Sequence, residues 1–267
     1  MKDMEYFRSL DLTKFNRLFT IGCSFTSYRY PTWANVMHHA MPQAEFINLG
    51  HGAAGNQFIS NRLTEAHRKF NFCETDLVMV MWSTHCREDR WIPGGWITPG
   101  NIYTQGEYDE KFVRKYCHPL GYLIRDIALI DLSNAYLSTL SCTHVSMLSV
   151  AFDYQQVASS SFASKKVLET YKNVVDYFPP SMFELEMNSR WTNNVVYEFR
   201  GERMIDYHPT PLNYYNYLNK IGISLNEDAL QFATQADATL RSVTSMAEIR
   251  SEWPNLDKPL GQQEGFW

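Results

Sequence analysis

The sequence predicts a doubly wound α/β fold, in which helices cover a parallel sheet. Apolar runs alternate along the chain with segments whose apolar residues recur at helical spacing, and this alternation is typical of such a sheet. The run DLVMVMW at 76–82 is a continuous apolar strand, as expected where both faces of a parallel sheet are buried. At 267 residues the chain is near the upper limit for one core, so one domain with insertions is expected.

Local patterns predict each element in chain order. Strands are predicted at 17–21, 45–49, 76–82 and 144–150. Helices are predicted at 32–40, 56–70, 110–140 with a break near Pro119, 165–177, within 204–218, and 227–241. Ile59, Leu63 and Ala66, for example, recur at helical spacing. The segment 83–105 is predicted to be a long loop ordered by its own aromatic side chains.

The domain prediction follows from this order. Residues 1–222 are expected to form the main domain, with insertions at 83–109 and 151–200. Residues 223–267 are expected to form a helix and a polar tail that pack on the same domain. Right-handed crossovers put the carboxyl ends of the strands, and the loops after them, along one edge of the sheet. A binding or catalytic site is expected at that edge.

Composition excludes several classes of function. The net charge is −5, with no basic stripe to neutralise phosphates, so nucleic acid is not an expected partner. No apolar segment approaches the roughly 20 residues that span a bilayer, and acidic residues interrupt the beginning of the chain, so a cytoplasmic protein without a membrane partner is expected. The five cysteines are odd in number and dispersed, which favours free thiols over disulfides or zinc.

Ser24 is a candidate nucleophile at the end of the first predicted strand. The sequence Gly22-Cys23-Ser24 puts it between small residues, and the chain then continues toward a predicted helix. A serine at this edge has an exposed hydroxyl and an amide near a helix start, where negative charge is favoured. Taken alone, Ser24 is explained as a helix cap or turn residue.

Asp206 and His208, near the other end of the chain, change that interpretation. A histidine acts as a general base when one ring nitrogen reaches the serine hydroxyl and a carboxylate orients the other. We therefore predict a Ser24-His208-Asp206 triad. The two-residue spacing requires the side chain of Asp206 to bend back toward Nδ1 of His208. In a regular strand the side chains of these two residues would not turn toward each other.

Four blocks of sequence carry a family resemblance. They span 17–218 and read FTIGCSFT, INLGHGAAGNQFI, DLVMVMWSTHCRED and DYHPTP. Together they resemble the SGNH (GDSL-type) hydrolase superfamily, in particular its divergent phage and marine-bacterial members, which show GCSFT or GSCFT. The resemblance implies a flavodoxin-like three-layer α/β/α sandwich and a serine esterase, often acting on acylated carbohydrate, without a cofactor. It also implies a host-cytoplasmic or virion location if the protein is phage-encoded, with virion or homo-oligomer association as an alternative.

The resemblance also assigns an oxyanion hole. It implies that the backbone amides of Ser24 and Ala53 are donors, with Ala53 in the place of a family glycine. The family's GxND motif is absent from the third block, where His85 falls on the asparagine place and Ser83 and Thr84 replace glycines. One of these three residues is expected to supply the missing donor, since such a donor contributes roughly 2.7 to 4 kcal/mol.

Other residues at this edge are candidate substrate contacts, namely Gly52, Asn56, Trp82, Ser83, Thr84 and Arg87. Trp82, Trp91 and Trp96 are interpreted as core or loop packing, with a platform for sugar rings as the alternative. The charge run 87–90 is interpreted as a solvated loop, with contact between Arg87 and an anionic substrate group as the alternative.

One cysteine and three histidines near the predicted elements have simpler interpretations. Cys23, beside the serine, is predicted to be a small buried residue rather than the nucleophile. His38 and His39 are sequence neighbours on a helix and do not share a face, so no metal site is predicted. His51 is interpreted as a surface loop residue.

Two alternatives to an esterase remain open at the level of sequence. Loss of the GxND motif favours a binding or virion component that keeps the fold without the chemistry. Exclusion of water by the tryptophan loop would favour an O-acyltransferase, in which a sugar replaces water as the acceptor.

Overall fold

The computed structural model describes residues 4–104, 107–153, 161–188, 190–191, 195–254 and 256. The strands are β1 Arg17–Gly22, β2 Glu45–Asn48, β3 Asp76–Trp82, β4 Arg90–Ile92, β5 Gly95–Ile97, β6 Thr143–Leu148, β7 Val195–Phe199 and β8 Glu202–Asp206. The α-helices are α1 Met4–Arg8, α2 Trp33–Ala40, α3 Asn56–Phe70, α4 Glu110–Tyr116, α5 Pro119–Ser138, α6 Ser161–Thr170, α7 Lys172–Val175, α8 Met182–Met187, α9 Pro211–Lys220, α10 Glu227–Ser242 and α11 Met246–Glu252. A 3-10 turn, Leu12–Lys14, precedes β1.

The predicted α/β fold is confirmed: a parallel sheet is flanked by helices. In the described part of the chain its strand order is β2-β1-β3-β6, and each neighbouring pair is parallel. This order matches the first four strands of the flavodoxin-like arrangement. Every residue of the central strand β3 is buried, as its apolar run predicts.

The crossovers place helices on both faces of this sheet. Strand β2 lies on one side of β1 and β3 on the other, so right-handed connections carry α2 and α3 to opposite faces. Helix α2 packs with α9 and α10, and α3 packs with α5. The large apolar core lies between these layers.

The predicted break near Pro119 is confirmed. Helix α4 ends at Tyr116, and α5 begins at Pro119, where a proline without an amide hydrogen fits the first helical turn. The side chain of His118 caps α5 by accepting a hydrogen bond from the amide of Leu120 at 3.2 Å. The single helix predicted at 165–177 is wrong in one respect, because Tyr171 separates it into α6 and α7.

Two hairpins and three helices depart from the sequence prediction. The long loop after β3 contains the β4–β5 hairpin, in which Trp91 pairs with Trp96. The segment before His208 forms the β7–β8 hairpin, in which Val195 pairs with Asp206. These strands are short, and β8 is exposed until its last residue, so no apolar run reveals it. Helices α1, α8 and α11 were not predicted, and the end of the chain after 256 lies outside the described residues.

A second, smaller core holds the β7–β8 hairpin in place. It consists of Tyr30, Val195, Tyr197, Leu240, Val243, Met246 and Ile249. These residues come from the segment after β1, from β7, and from the C-terminal helices. The hairpin is therefore packed next to the chain that follows β1, which brings Asp206 toward Ser24.

Candidate active site

Ser24 lies in a tight turn directly after β1. The amide of Thr26 donates to the carbonyl of Cys23 at 2.8 Å, and helix α2 begins only at Trp33. The expected position of Ser24 at a helix start is therefore wrong. Gly22 is required here, because a Cβ on it would lie 2.1 Å from Oγ1 of Thr26. The turn buries Cys23 in the main core, as predicted, and leaves Ser24 8% exposed at the surface of a cavity.

The three residues of the predicted triad lie in hydrogen-bonding contact. Oγ of Ser24 is 2.8 Å from Nε2 of His208, and Nδ1 of His208 is 2.7 Å from Oδ1 of Asp206. An ionised carboxylate can only accept hydrogen bonds, so Nδ1 carries the proton and Nε2 is left to accept from the serine hydroxyl. This is the tautomer that a general base needs.

The short Asp-x-His spacing is accommodated by a local turn. Asp206 is the last residue of β8, and its Oδ1 accepts the backbone amide of His208 at 3.0 Å as well as the ring nitrogen. An aspartate that binds the amide two residues on forms an Asx turn. The side chain of Asp206 thus bends back toward His208, as the predicted triad requires.

Tyr28 and Tyr197 support the far side of the Asp206 carboxylate. The hydroxyl of Tyr28 donates to Oδ2 at 2.7 Å, and that of Tyr197 lies 3.3 Å from the same oxygen. Burial opposes ionisation of Asp206, but the hydrogen bonds and charge of His208 and the hydrogen bond of Tyr28 outweigh it, so the pKa of the carboxyl is lowered. Asp206 is therefore ionised at neutral pH.

Aromatic rings also fix the imidazole of His208. The ring of Tyr28 stacks on it with centroids 3.9 Å apart and planes 21° apart, and Phe25 contacts it edge-on at 5.4 Å. Sequence reasoning missed Tyr28 and Tyr197. Tyr28 lies four residues after Ser24 without a motif, and Tyr197 belongs to an unpredicted strand.

A second turn, after β2, brings Ala53 to the same cavity. Asn48 joins the two turns, since its side chain donates to the carbonyl of Thr26 at 3.0 Å and accepts from the amide of Gly50 at 3.0 Å. Ala53 has a φ of 60°, in the left-handed region that favours glycine. The backbone amides of Ser24 and Ala53 donate to no group in the described part of the chain. Both residues line the cavity.

The loop after β3 supports this second turn. Its charge run 87–90 was predicted to be solvated, but only Arg90 of the run is exposed. Asp89 is only 1% exposed, and it accepts the amides of Gly55 at 2.8 Å and Phe58 at 2.9 Å. Burial raises the pKa of the Asp89 carboxyl in spite of these bonds. Arg87 is partly buried and donates to the carbonyl of Ala54 at 2.8 Å. These two side chains therefore fix the turn that carries Ala53.

Asn56 is a buried support rather than a substrate contact. Its side-chain oxygen accepts the amide of Ser83 at 2.8 Å, and its nitrogen donates to the carbonyl of Ser83 at 3.0 Å and to Asp126 at 2.9 Å. Burial raises the pKa of the Asp126 carboxyl to about 6. Asn56 and Ser83 are not among the residues that line the cavity, so both calls as substrate contacts are corrected.

Trp82 and His85 are also placed away from the cavity. Trp82 is fully buried, and its ring nitrogen donates to Oγ of Ser146 at 3.2 Å, so it belongs to the core. His85 is buried and does not line the cavity, and burial together with the charge of Arg125 lowers its pKa to about 4. Of the three candidates for the missing donor, Thr84 alone lines the cavity, although its hydroxyl donates to the carbonyl of His85 at 2.6 Å.

The cavity at the sheet edge has a volume of about 950 Å³. It is lined by Ser24, Phe25, Tyr28, Arg29, Gly52, Ala53, Thr84, Arg87, Gly100, Asn101, Thr104, Trp191, Tyr207 and His208. Of the predicted contacts, it contains Gly52, Thr84 and Arg87. A volume of this size is in the upper part of the range for small-molecule sites, which accommodate a sugar ring with its substituents.

The aromatic residues that reach the cavity are not the predicted ones. Trp91 pairs edge-to-face with Trp96 at 5.9 Å, Trp96 packs on Phe58, and neither tryptophan lines the cavity. Trp191 and Tyr207 line it instead, and both remain substantially exposed. They lie in the region after residue 150, where the sequence predicted an insertion and a loop without assigning contacts.

The remaining candidates have local explanations. His38 stacks on Phe46 and His39 on Phe232, and burial lowers the pKa of both imidazoles. His51 is half-buried, with Nδ1 2.9 Å from the carbonyl of Gly52. Among the described residues, no cluster of three or more His, Cys, Asp or Glu side chains is arranged to hold a metal ion. No described helix combines the length and apolarity needed to cross a bilayer.

Comparisons with known proteins add a likeness to solved structures. No protein-family model matches the chain, and no curated protein matches it. A solved structure, described as a member of the lipolytic protein G-D-S-L family from Veillonella parvula, is similar at a TM-score of 0.39 and 14% identity. The match covers 82% of this chain and 98% of that one. With identity and TM-score this low, the function has to be argued from the site itself.

Proposed function

We propose that the protein is a serine-dependent carboxylic ester hydrolase that removes acyl groups from O-acylated carbohydrate. The observation that carries the proposal is the continuous series of contacts from Asp206 through His208 to Ser24, at 2.7 and 2.8 Å. A serine hydroxyl is a weak nucleophile unless a base removes its proton, and an oriented imidazole is the usual base.

The reaction would proceed through an acyl-enzyme. Oγ of Ser24 forms a bond to the carbonyl carbon while its proton passes to Nε2 of His208, and the ionised Asp206 stabilises the resulting imidazolium. The C–O bond to the sugar then breaks, and the sugar oxygen takes the proton from His208. Water then takes the place of the serine. It gives a proton to Nε2 of His208 and attacks the acyl carbon. The bond from that carbon to Oγ of Ser24 breaks, Oγ takes the proton from His208, and the carboxylic acid is released.

The negative charge of the tetrahedral intermediate requires donors. The amides of Ser24 and Ala53 are suited to this role, since neither donates elsewhere in the described part of the chain. Each donor of this kind contributes roughly 2.7 to 4 kcal/mol to the stability of the transition state. Thr84 and Asn101 also line the cavity, but the hydroxyl of Thr84 already donates to the carbonyl of His85, so no third donor is assigned.

The carbohydrate part of the proposal rests on the cavity. Its volume suits an acylated sugar, and two partly exposed aromatic residues, Trp191 and Tyr207, line it. An acyltransferase was expected to be favoured by a tryptophan loop that excludes water, but Trp91 of that loop is 53% exposed and does not line the cavity. Hydrolysis is therefore the better supported reaction.

The test compares Ser24→Ala with a neighbouring serine variant. With 4-nitrophenyl acetate, Ser24→Ala is expected to lower kcat/KM by roughly 10⁴- to 10⁶-fold, whereas Ser27→Ala, in the same turn, should retain activity. A fluorophosphonate should label the wild type and Ser27→Ala but not Ser24→Ala. Equal rates in the wild type and Ser24→Ala, or labelling of a residue other than Ser24, would contradict the proposal and support a binding protein on this fold.

A further inference from the structure

The side chain of Arg29 contacts the tyrosines that support the triad. Nη1 of Arg29 donates to the hydroxyl of Tyr197 at 2.9 Å, and the guanidinium lies over the ring of Tyr28, with Cζ 5.4 Å from the ring centroid. A cation over an aromatic face is attracted to it, so the ring of Tyr28 helps to fix the guanidinium. One side chain therefore contacts both residues whose hydroxyls bind Oδ2 of Asp206.

The contact with Arg29 sets the direction of the hydrogen bond from Tyr197. A guanidinium can only donate, so the hydroxyl oxygen of Tyr197 accepts from it and the hydroxyl proton is left for another acceptor. Oδ2 of Asp206 lies 3.3 Å from this hydroxyl and accepts that proton. Burial and the charge of Asp206 raise the pKa of the Tyr197 hydroxyl, so it stays protonated at neutral pH. Only one N–H group of Arg29 is needed for this, whatever the others contact.

In the described part of the chain, the Asp206 carboxylate accepts four hydrogen bonds. Oδ1 accepts from the amide and Nδ1 of His208, and Oδ2 accepts from Tyr28 and Tyr197. An ionised carboxylate has about four acceptor sites, so these bonds use all of them. A protonated carboxyl would have to give up one of the bonds. The network therefore favours the ionised form, which is the form that orients His208.

From these contacts we infer that Arg29 is a positioning residue for the triad, which acts through Tyr197 to hold Asp206 ionised and oriented toward His208. The inference rests on the proposed function and deepens it. Arg29 belongs to the same segment between β1 and α2 as Ser24, whereas Tyr197 and Asp206 lie on the β7–β8 hairpin. The contact between Arg29 and Tyr197 therefore connects the segment that carries the nucleophile to the hairpin that carries the acid.

A double-mutant cycle distinguishes this role from direct contact with a substrate, since Arg29 also lines the cavity. Arg29→Met and Tyr197→Phe are each expected to lower kcat for 4-nitrophenyl acetate by roughly 5- to 10-fold. The double variant should be no slower than Tyr197→Phe to within about 2-fold, because Arg29 acts through the hydroxyl that is already missing. Arg29→Lys, which can still donate to Tyr197, should lose less activity than Arg29→Met.

Two results of the cycle would overturn the inference. One is an unchanged kcat in Arg29→Met. The other is a loss that recurs in full in the Tyr197→Phe background, or that appears only as a higher KM, since either would mean that Arg29 acts on the substrate independently of Tyr197.

Arg203→Gln is the matched control. Arg203 lies on the same hairpin as Asp206, is exposed and does not line the cavity. The substitution should leave kcat unchanged. Equal losses in Arg203→Gln and Arg29→Met would also overturn the inference, because they would show that any loss of positive charge near the hairpin has the same effect.

Titration of Asp206 in the Ser24→Ala protein separates this inference from the proposed function, because it requires no turnover. Carbon-13 NMR of labelled aspartate follows the carboxyl, and Asp206→Asn assigns its signal. Arg29→Met and Tyr197→Phe should each raise the pKa of the Asp206 carboxyl, since each weakens hydrogen bonding to its charged form. Arg203→Gln should leave that pKa unchanged.

The remaining titratable groups that face Asp206 in the described structure are the same in every variant. They are His208 beside it, Tyr28 and Tyr30 from the segment after β1, and Tyr214 from α9. Burial raises the pKa of all three tyrosines, so they stay neutral while Asp206 titrates. Differences between the variants therefore report the effects of Arg29 and Tyr197.

The titration and the esterase assay fail separately. An unchanged pKa of Asp206 in Arg29→Met would overturn the inference and leave the esterase proposal intact. If Ser24→Ala retains full esterase activity while Arg29→Met raises the pKa of Asp206, the proposed function fails and the positioning of Asp206 by Arg29 stands.

Discussion

At the scale of single residues, Tyr28 combines two roles in the candidate site. Its hydroxyl binds Oδ2 of Asp206 at 2.7 Å, and its ring stacks on the imidazole of His208. The first contact favours the ionised carboxylate, and the second restricts rotation of the imidazole. Substitutions can separate the two, because phenylalanine keeps the ring and leucine keeps neither.

Tyr28→Phe is expected to lower kcat/KM by roughly 10-fold, since a hydrogen bond to a charged group is worth about 1.5 to 3 kcal/mol and part of it acts in the ground state as well. Tyr28→Leu should lower it further, because the imidazole also loses its stacking partner. Steady-state kinetics with 4-nitrophenyl acetate measures both. Tyr116→Phe, at an exposed position, is the control. Equal activities of Tyr28→Phe and Tyr28→Leu would show that the ring does not position His208.

Ala53 also contributes to the site, but through its backbone rather than its side chain. Its φ of 60° costs an L-residue roughly 1 to 2 kcal/mol. Ala53→Gly should therefore raise the free energy of unfolding by about 1 kcal/mol and preserve activity. The neighbouring Ala54→Gly should lower stability, because Ala54 is fully buried and has no positive φ. Urea denaturation of both variants checks the opposite signs, and a destabilised Ala53→Gly contradicts this account.

At the scale of elements, the site depends on asparagine side chains that form hydrogen bonds between strand ends and neighbouring turns or helices. Asn56, the first residue of α3, binds both backbone groups of Ser83 after β3 and the side chain of Asp126 in α5. Asn48, at the end of β2, joins the turn of Ser24 to the turn of Ala53. Each asparagine side chain forms hydrogen bonds with backbone groups at the edge of the sheet that would otherwise need water as a partner.

Asn56→Ala should destabilise the protein by about 2 to 4 kcal/mol, because it leaves several buried polar groups unpaired. Asn61→Ala, on the same helix, should have little effect, since Asn61 is exposed and its amide binds only the carbonyl of Gln57. Thermal or urea unfolding compares the two. A similar, small loss in both variants would mean that water takes over the contacts of Asn56.

At the scale of the whole molecule, two buried carboxyls give stability opposite dependences on pH. The pKa of Asp206 is lowered from 3.8 in the folded protein, so its contribution is present above pH 3.8 and is lost as the pH falls through the lower folded value. The pKa of Asp126 is raised to about 6, so the folded state binds this proton first and gains stability as the pH falls from 6 toward 3.8.

Urea unfolding between pH 7 and 3 should therefore distinguish the two carboxyls. The stability of the wild type relative to Asp206→Asn should be constant above about pH 4 and should decrease below it. The stability of the wild type relative to Asp126→Asn should instead increase as the pH falls from 6 to 4. Differences that do not vary with pH would contradict the assigned directions of the pKa shifts.

Sequence patterns alone were sufficient to locate the sheet, most of the helices and the three residues of the predicted triad. Apolar runs and helical periodicity are local consequences of burial, so the strands β1 and β3 and the helix α3 could be located within a residue. Ser24, Asp206 and His208 were recognisable because their chemistry is specific and a strand end points to the sheet edge. The same reasoning misplaced Trp82 and His85, since strand position alone does not tell whether a side chain faces the core or the cavity.

The surroundings of those three residues depend on long-range contacts. Tyr28 meets Asp206 across 178 positions of chain, and the β7–β8 hairpin that carries Asp206 is held by a second core assembled from distant segments. Arg87 lines the cavity, while Asp89 binds two backbone amides and Arg90 pairs with Glu88. Such contacts produce no periodic pattern in the sequence. They depend on which surfaces the folded chain brings together, and therefore on tertiary packing rather than on local conformational preference.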